Sequence, residues 1–276
     1  MEGDSSRNPG VPDGPRVTSG RAGEAAESNL FHIDGESLFI GLGTICDTAA
    51  RLAGVDGAAV AVLSDDVREL VHATDALAQQ IDELQFTVGE GPCLQAYAQD
   101  RDELWPSTED SEFARRWPLF TAEVVPLGVA AVFAFPVAGA RRPVGVLELY
   151  RRTPGALAPA ELESARTCTA AIGDRLGSNW QSQVQRSGGT QAAIEAVGLH
   201  DGSSTHLDDR FTRGQVHIAA GMVAVQLKVS TQDGMTRLRA HAYAERRSVV
   251  AVAADVVSRR LSFRDLDDDA GKGSGR

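Results

Sequence analysis

The chain has 276 residues, of which 42% are hydrophobic, and it carries a formal net charge of −11. This length and composition allow one or two folded domains, and the absence of any run of about 18 apolar residues excludes a transmembrane helix. Its three cysteines lie far apart and form no C-x-x-C pair. We therefore expect neither a disulfide framework nor a zinc site, and a cytoplasmic location.

The first 28 residues are polar and rich in Gly, Pro and Ser, which predicts a disordered tail. Between residues 29 and 185 the pattern is mixed. Apolar residues at helical spacing in "LFIGLGTICDTAARLAG" predict an amphipathic helix, and the continuous apolar run "GAAVAVL" predicts a strand buried on both faces. The segment "ELVHATDAL" is expected to pair with that strand through a turn around Asp65–Arg68.

Two further strand-like runs, "VAAVFAFPVAG" and "PVGVLELY", are separated by "ARR" and predict a hairpin. Helices are expected at about 74–85, 92–99 and 111–123, and Pro159 can open a long helix. Residues 29–185 are therefore predicted to form an α+β domain in which helices flank a mostly antiparallel sheet.

The last part of the chain has a different composition. Residues 186–207 are predicted to be a linker, residues 208–263 an all-α module, and residues 264–276 a disordered tail. The module's three helices are expected at roughly 211–228, 231–245 and 248–262. It holds nine basic and five acidic side chains, whereas the remainder of the chain holds 18 basic and 33 acidic ones. A core this small gives the module only marginal stability alone, so we expect the module to be stabilised by a partner or by dimerisation.

A helical wheel divides the first of these helices into two apolar faces and one polar strip. The apolar faces are expected to be buried, one of them containing Ile218, Met222 and Val225. The strip predicted to be exposed contains Arg213, His217, Ala220, Ala224 and Lys228. These basic residues could be solvated helix faces or partners of helix dipoles. The pattern alone leaves DNA, RNA and protein partners open.

The same segment, "GQVHIAAGMVAVQLKVSTQDGMTRLRAHAYAERRSVVAVAADVVSRRL", resembles the ANTAR family of bacterial signalling modules. The likeness lies in "A-x-G-M-V" at 219–223, "V-S-x-x-D" at 229–233, "R-L-R-A-H-A" at 237–242 and "V-A-x-D-V-V" at 252–257. The resemblance implies transcription antitermination through binding of paired RNA hairpins, and two-hairpin recognition favours a homodimer. The candidate RNA-binding residues are Arg213, His217, Lys228, Arg237, Arg239, Arg246 and Arg247.

The segment "FTVGEGPCLQAY" at 86–97 resembles the G-E-G-P-C segment of GAF sensor domains. The resemblance implies a sensor that holds a small-molecule effector between sheet and helices, although nothing in the sequence identifies that ligand or any cofactor. The candidate ligand-binding residues are Cys93, Trp105, Phe113 and Trp117. Cys93 is expected at a helix N-terminus, where the dipole would lower its thiol pKa.

Two positions depart from the ANTAR pattern. Ala220 stands where the family usually carries Lys or Gln, so an RNA contact would be absent. Gly234 replaces a helix-favouring Ala, which would weaken the second helix by roughly 1 kcal/mol. The alternative function is therefore a protein-interaction or dimerisation regulator whose module does not bind RNA specifically. We do not expect an enzyme, because the sequence shows no recognisable catalytic base and no second cysteine close in sequence to Cys93.

Overall fold

A computed structural model describes residues 38–63, 68–193 and 213–264. The predicted N-terminal tail, most of the predicted linker, and all but Arg264 of the predicted C-terminal tail lie outside these residues. The strands are β1 (Gly57–Leu63), β2 (Arg68–Ala73), β3 (Glu103–Trp105), β4 (Ala131–Val137) and β5 (Gly145–Arg151). The helices are α1 (Leu42–Leu52), α2 (Ala76–Val88), α3 (Pro92–Gln99), α4 (Ser111–Arg116), α5 (Pro118–Val124), α6 (Pro159–Arg186), α7 (Arg213–Leu227), α8 (Thr231–Ala244) and α9 (Val249–Val257).

The five strands form one antiparallel sheet in the order β2-β1-β5-β4-β3. The predicted pairing of β1 with β2 and the predicted β4–β5 hairpin are both confirmed. Most of the predicted turn between β1 and β2 falls on residues 64–67, outside the described part of the chain. Strand β3 was not predicted, because a three-residue edge strand is too short to show alternation.

Side chains of the sheet alternate between two layers. Phe133 and Leu147 point into a core shared with α1 and α6, and Val132 and Tyr150 point into a second core beneath α2, α4 and α5. Strand β1 contributes to both cores, as its continuous apolar run predicts. The sheet is therefore covered by helices on both faces.

The helix predicted at 111–123 is two helices. Trp117 lies between α4 and α5 with φ −137° and ψ 69°, and Pro118 is the first residue of α5. The prediction of one helix is wrong because a proline excludes the helical conformation at the residue before it. Because of this break, the side chains of Phe113, Trp117 and Phe120 all point into the same core.

Helices α7, α8 and α9 pack together as the predicted three-helix module. Its core contains Val216, Leu238 and Val252, and Phe86 of α2 completes that core. The module was expected to need a partner or a dimer, but its small core is extended within the chain, by a side chain of the α+β domain.

Gly234 is where α8 crosses α7. A Cβ built on Gly234 would lie 2.4 Å from the backbone oxygen of Ala220 and 3.0 Å from the amide nitrogen of Ala224. The glycine therefore permits close helix contact, and its helix-weakening effect is the smaller part of its role. Ala220 is fully buried at this crossing, so the prediction that it is exposed is wrong.

We expect Gly234→Ala to destabilise the protein by about 1–3 kcal/mol, because the added methyl group overpacks against rigid backbone. Gly221→Ala is the matched control, since a Cβ at Gly221 of α7 meets nothing within 4 Å. That variant should gain up to about 1 kcal/mol from helix propensity. Urea unfolding of both variants checks the prediction, and equal stabilisation by the two would contradict it.

Candidate functional site on helix α2

Helix α2 contacts both the sheet and the three-helix module. Asp75 caps its start, accepting hydrogen bonds from the amides of Leu77 and Ala78 at 2.8 and 2.9 Å. Ala78 and Ile81 face the sheet, whereas Phe86 lies in the core of the module. One rigid helix therefore connects the interior of the α+β domain to the C-terminal helices.

A buried ion-pair cluster joins α2 to α7. The Arg213 guanidinium lies 2.6 Å from Asp82 Oδ2 and 2.9 Å from Glu83 Oε2, and it stacks over the ring of Phe86 at 4.6 Å. Arg68 of β2 also pairs with Asp82. Burial raises the pKa of the Asp82 carboxyl, but the two guanidinium groups outweigh that effect and hold its pKa below the usual value.

Two more contacts lie at the C-terminal end of α2. The Arg239 guanidinium of α8 packs on Gly89, where an added Cβ would come within 2.7 Å of Nη1. Burial lowers the pKa of Arg239, and the nearby charge of Arg68 lowers it further. The partial negative charge of the α2 C-terminus favours a cation at this position. The Val249 amide donates to Thr87 Oγ1 at 3.5 Å, which places the start of α9 against the same helix.

Gln85 of α2 belongs to a second buried polar group. Gln85 donates from Nε2 to both oxygens of Glu148 at 2.7 and 3.0 Å, and its Oε1 accepts from the Cys93 amide at 2.9 Å. On the sheet, Glu148 is flanked by Ala59 and Ala134, which leave room for its carboxyl. Burial raises the pKa of Glu148 to about 7, although the charge of Arg68 acts in the opposite direction.

Comparison with known proteins identifies the α+β part. Residues 42–176 match the family model described as GAF domain. These residues form a GAF domain. No curated protein matches the chain by sequence.

Several solved structures resemble the GAF domain. A domain of a protein assigned as a two-component sensor histidine kinase from Sinorhizobium meliloti is 20% identical, with a TM-score of 0.42 over 52% of this chain and 92% of that chain. The GAF domain of an Acinetobacter phosphoenolpyruvate-protein phosphotransferase is 15% identical, with a TM-score of 0.40 over 51% and 82% of the two chains. A free methionine-R-sulfoxide reductase from Thermoplasma acidophilum is 10% identical, with a TM-score of 0.37 over 50% and 92%.

Of the four residues proposed as ligand-binding from the sequence, Cys93, Phe113 and Trp117 are buried in the GAF domain and Trp105 is half-buried. Trp105, Phe113 and Trp117 contact one another edge to face, with ring centroids 5.1–5.4 Å apart, and belong to the core beneath α2. Cys93 begins α3 as expected, but its thiol is buried beside Glu148. Burial, and then the Glu148 carboxyl, raise the pKa of Cys93 well above its usual value. The expected lowering by the helix dipole is therefore wrong.

The candidate RNA-binding residues divide into two groups. Arg213 is buried and Arg239 is largely covered, both of them against α2 of the GAF domain. The prediction that Arg213 lies on an exposed strip is therefore wrong, and the same holds for Ala224. His217 is half-buried. The exposed candidates are Lys228, Arg237, Arg246 and Arg247, of which Arg247 pairs with Asp255 at 2.6 Å.

The apolar faces of α7 also differ from the prediction. Val216 and Val223 are buried, but Ile218 is 57% exposed and Val225 is 76% exposed. A helical wheel shows two apolar faces without showing which of them meets a neighbouring helix. The burial of Arg213 against α2 fixes the rotation of α7 and leaves the Ile218 face outward.

Sequence reasoning did not identify the acids that hold the module. Asp82 and Glu83 lie in α2, and Asp82 falls on the same helical face as Ala78 and Gln85. A charged residue on the buried face of a helix is the available signal, because such a residue needs a partner from another element.

Within the described ranges, no helix is long and apolar enough to cross a membrane.

Proposed function

We propose that this protein is a GAF-regulated RNA-binding regulator that binds hairpin RNA through its three-helix module and promotes transcription antitermination. The GAF domain itself supports a sensory role in signalling. The proposal adds the RNA-binding activity, which is supported by the resemblance of residues 214–261 to the ANTAR family.

The observation that carries the proposal is the division of the module's cations into a docked group and an exposed group. Arg213 and Arg239 dock the module on α2, whereas Lys228, Arg237 and Arg246 are exposed on the module. Exposed arginines and lysines bind phosphate groups, and single-stranded RNA loops are read by side chains that such contacts position. An acidic chain thus keeps exposed cations on this module that a polyanion can contact.

The docked arrangement also suggests how the GAF domain would regulate RNA binding. Helix α2 contacts Glu148 inside the GAF domain through Gln85, and it contacts Arg213 of the module through Asp82. A signal that shifts α2 would alter the docking contacts directly. In this proposal, release of the module adds Arg213 and Arg239 to its exposed cations.

RNA binding by the full-length protein tests the proposal. A tandem-hairpin RNA and a scrambled RNA of equal length would be titrated at two salt concentrations. We expect preference for the hairpins, and we expect the triple variant Lys228→Ala, Arg237→Ala and Arg246→Ala to lose it. The slope of log affinity against log salt should fall by roughly 0.7 for each phosphate contact removed.

The matched control removes three exposed arginines from the GAF domain instead. Arg115→Ala, Arg141→Ala and Arg152→Ala make the same change in net charge at exposed positions. This variant should keep the hairpin preference. Equal weakening by both triple variants, or equal affinity for both RNAs, would overturn the proposal.

The exposed Ile218 and Val225 side chains favour a second candidate function. Neighbouring apolar side chains on one helix face are typical of protein-interaction surfaces. In that case the module would act by dimerisation or by contact with another protein, without specific RNA binding. Loss of dimerisation in Ile218→Ser with Val225→Ser, together with absent hairpin preference in the parent protein, would favour this alternative.

A further inference from the structure

A groove of about 430 Å³ lies between the GAF domain and the segment that joins α8 to α9. The GAF side provides apolar side chains from α2 and from the residues after α5, namely Leu84, Val88 and Leu127. The module side provides the ring of Tyr243, which is 39% exposed. This volume is within the range of small-molecule sites, and the mixture of apolar surface with a few polar groups is typical of them.

Four charged residues line the groove, but two of them already have close partners. Glu83 pairs with Arg213 at 2.9 Å, and Arg247 pairs with Asp255 at 2.6 Å. The other two are Arg246 and Glu123, and neither makes an ion pair within the described residues. The groove therefore has one cation and one anion available to a ligand.

These two charges come from different sides. Arg246 follows α8, next to the Ser248 cap of α9, whereas Glu123 belongs to α5 of the GAF domain. The groove thus has a positive module side and a negative GAF side, with apolar side chains also lining it.

We propose that this groove binds a small zwitterion with an apolar body, of amino-acid to dipeptide size. Its carboxylate pairs with Arg246, its ammonium group pairs with Glu123, and its side chains lie on Leu84, Val88 and Leu127. Charge-assisted hydrogen bonds at both ends orient the ligand, and the apolar contacts add affinity. Such a ligand contacts both the GAF domain and the module, so it stabilises their docked arrangement. The inference does not depend on RNA binding.

The test uses leucyl-phenylalanine with full-length protein in isothermal titration calorimetry. Two analogues remove one terminal charge each: the N-acetyl form lacks the ammonium group, and the C-terminal amide lacks the carboxylate. We expect the parent dipeptide to bind about tenfold more tightly than either analogue, since the loss of one charged hydrogen bond costs roughly that factor.

Two single variants test which protein side chain pairs with which charged end of the dipeptide. Arg246→Ala should lose the preference for the dipeptide over its amide and keep the preference over the acetyl form. Glu123→Ala should show the opposite pattern, and Arg141→Ala, at an exposed position of the GAF domain outside the groove, should change neither preference. Thermal unfolding of each variant confirms that it is folded. Absence of dipeptide binding at 10 mM, on the order of the weakest relevant affinity, or equal binding of all three compounds, would overturn the proposal.

Discussion

Replacing Arg213 with alanine is expected to destabilise the docked protein by about 3–5 kcal/mol, because one partner of a buried ion-pair cluster is removed. In the parent structure Arg213 pairs with both Asp82 and Glu83 and is itself only 6% exposed. Without it, Asp82 keeps Arg68 as a partner, and Glu83 loses its cation. The stacking of the guanidinium on Phe86 is lost as well.

Two measurements separate lost stability from lost docking. Urea unfolding reports the free energy, and hydrogen exchange reports whether the amides of α2 and α7 become accessible in the variant. Arg115→Ala is the matched control, since it removes the same side chain from an exposed helix position. It should change stability by no more than about 0.5 kcal/mol. If Arg213→Ala behaved like Arg115→Ala in both measurements, the docking role of the cluster would be wrong.

Much of the secondary structure could be predicted from the sequence, because its signals are local. The apolar runs of β1, β4 and β5 and the helical spacing of α6 depend on residues close together in the chain. The first two helices of the module were also predicted to within about two residues of their ends, whereas the third, predicted to reach residue 262, ends at Val257. Local spacing was insufficient where one residue decided the outcome, as at Pro118 between α4 and α5.

Packing between distant segments could not be predicted in the same way. The burial of Arg213 depends on two acids about 130 residues earlier in the chain, and no periodicity within α7 indicates that contact. The same limit explains the error for Cys93, whose thiol pKa is raised by burial in the core and then by Glu148 of the sheet. The role of Gly234 could not be predicted for the same reason, since only the position of α7 shows that the glycine permits a helix crossing. Arg213 and Arg239 were therefore singled out from the sequence for another role, and the acids that hold Arg213 emerged only from tertiary contacts.

Replacing Glu148 with glutamine is expected to remove a pH dependence of stability. Burial raises the pKa of this carboxyl from 4.5 to about 7, so the folded state holds the proton more tightly than the unfolded state. As the pH rises from about 4.5 to about 7, the unfolded chain ionises first, and the stability of the parent protein falls. This difference in pKa between the two states corresponds to a loss on the order of 3 kcal/mol, complete above the folded-state pKa.

The free energy of unfolding in urea is measured for parent and variant at pH 5, 6, 7 and 8. The quantity compared is the difference between the two proteins at each pH. That difference cancels the other titrating groups and should shift by about 2.5 kcal/mol in favour of Glu148→Gln between pH 5 and pH 8, since a small part of the loss already occurs below pH 5. Glu109→Gln removes an exposed carboxylate and controls for the change in net charge. A constant difference would show that Glu148 is ionised throughout. Its charge would then act permanently on Arg68, and the docking surface of α2 would carry one more fixed negative charge beneath it.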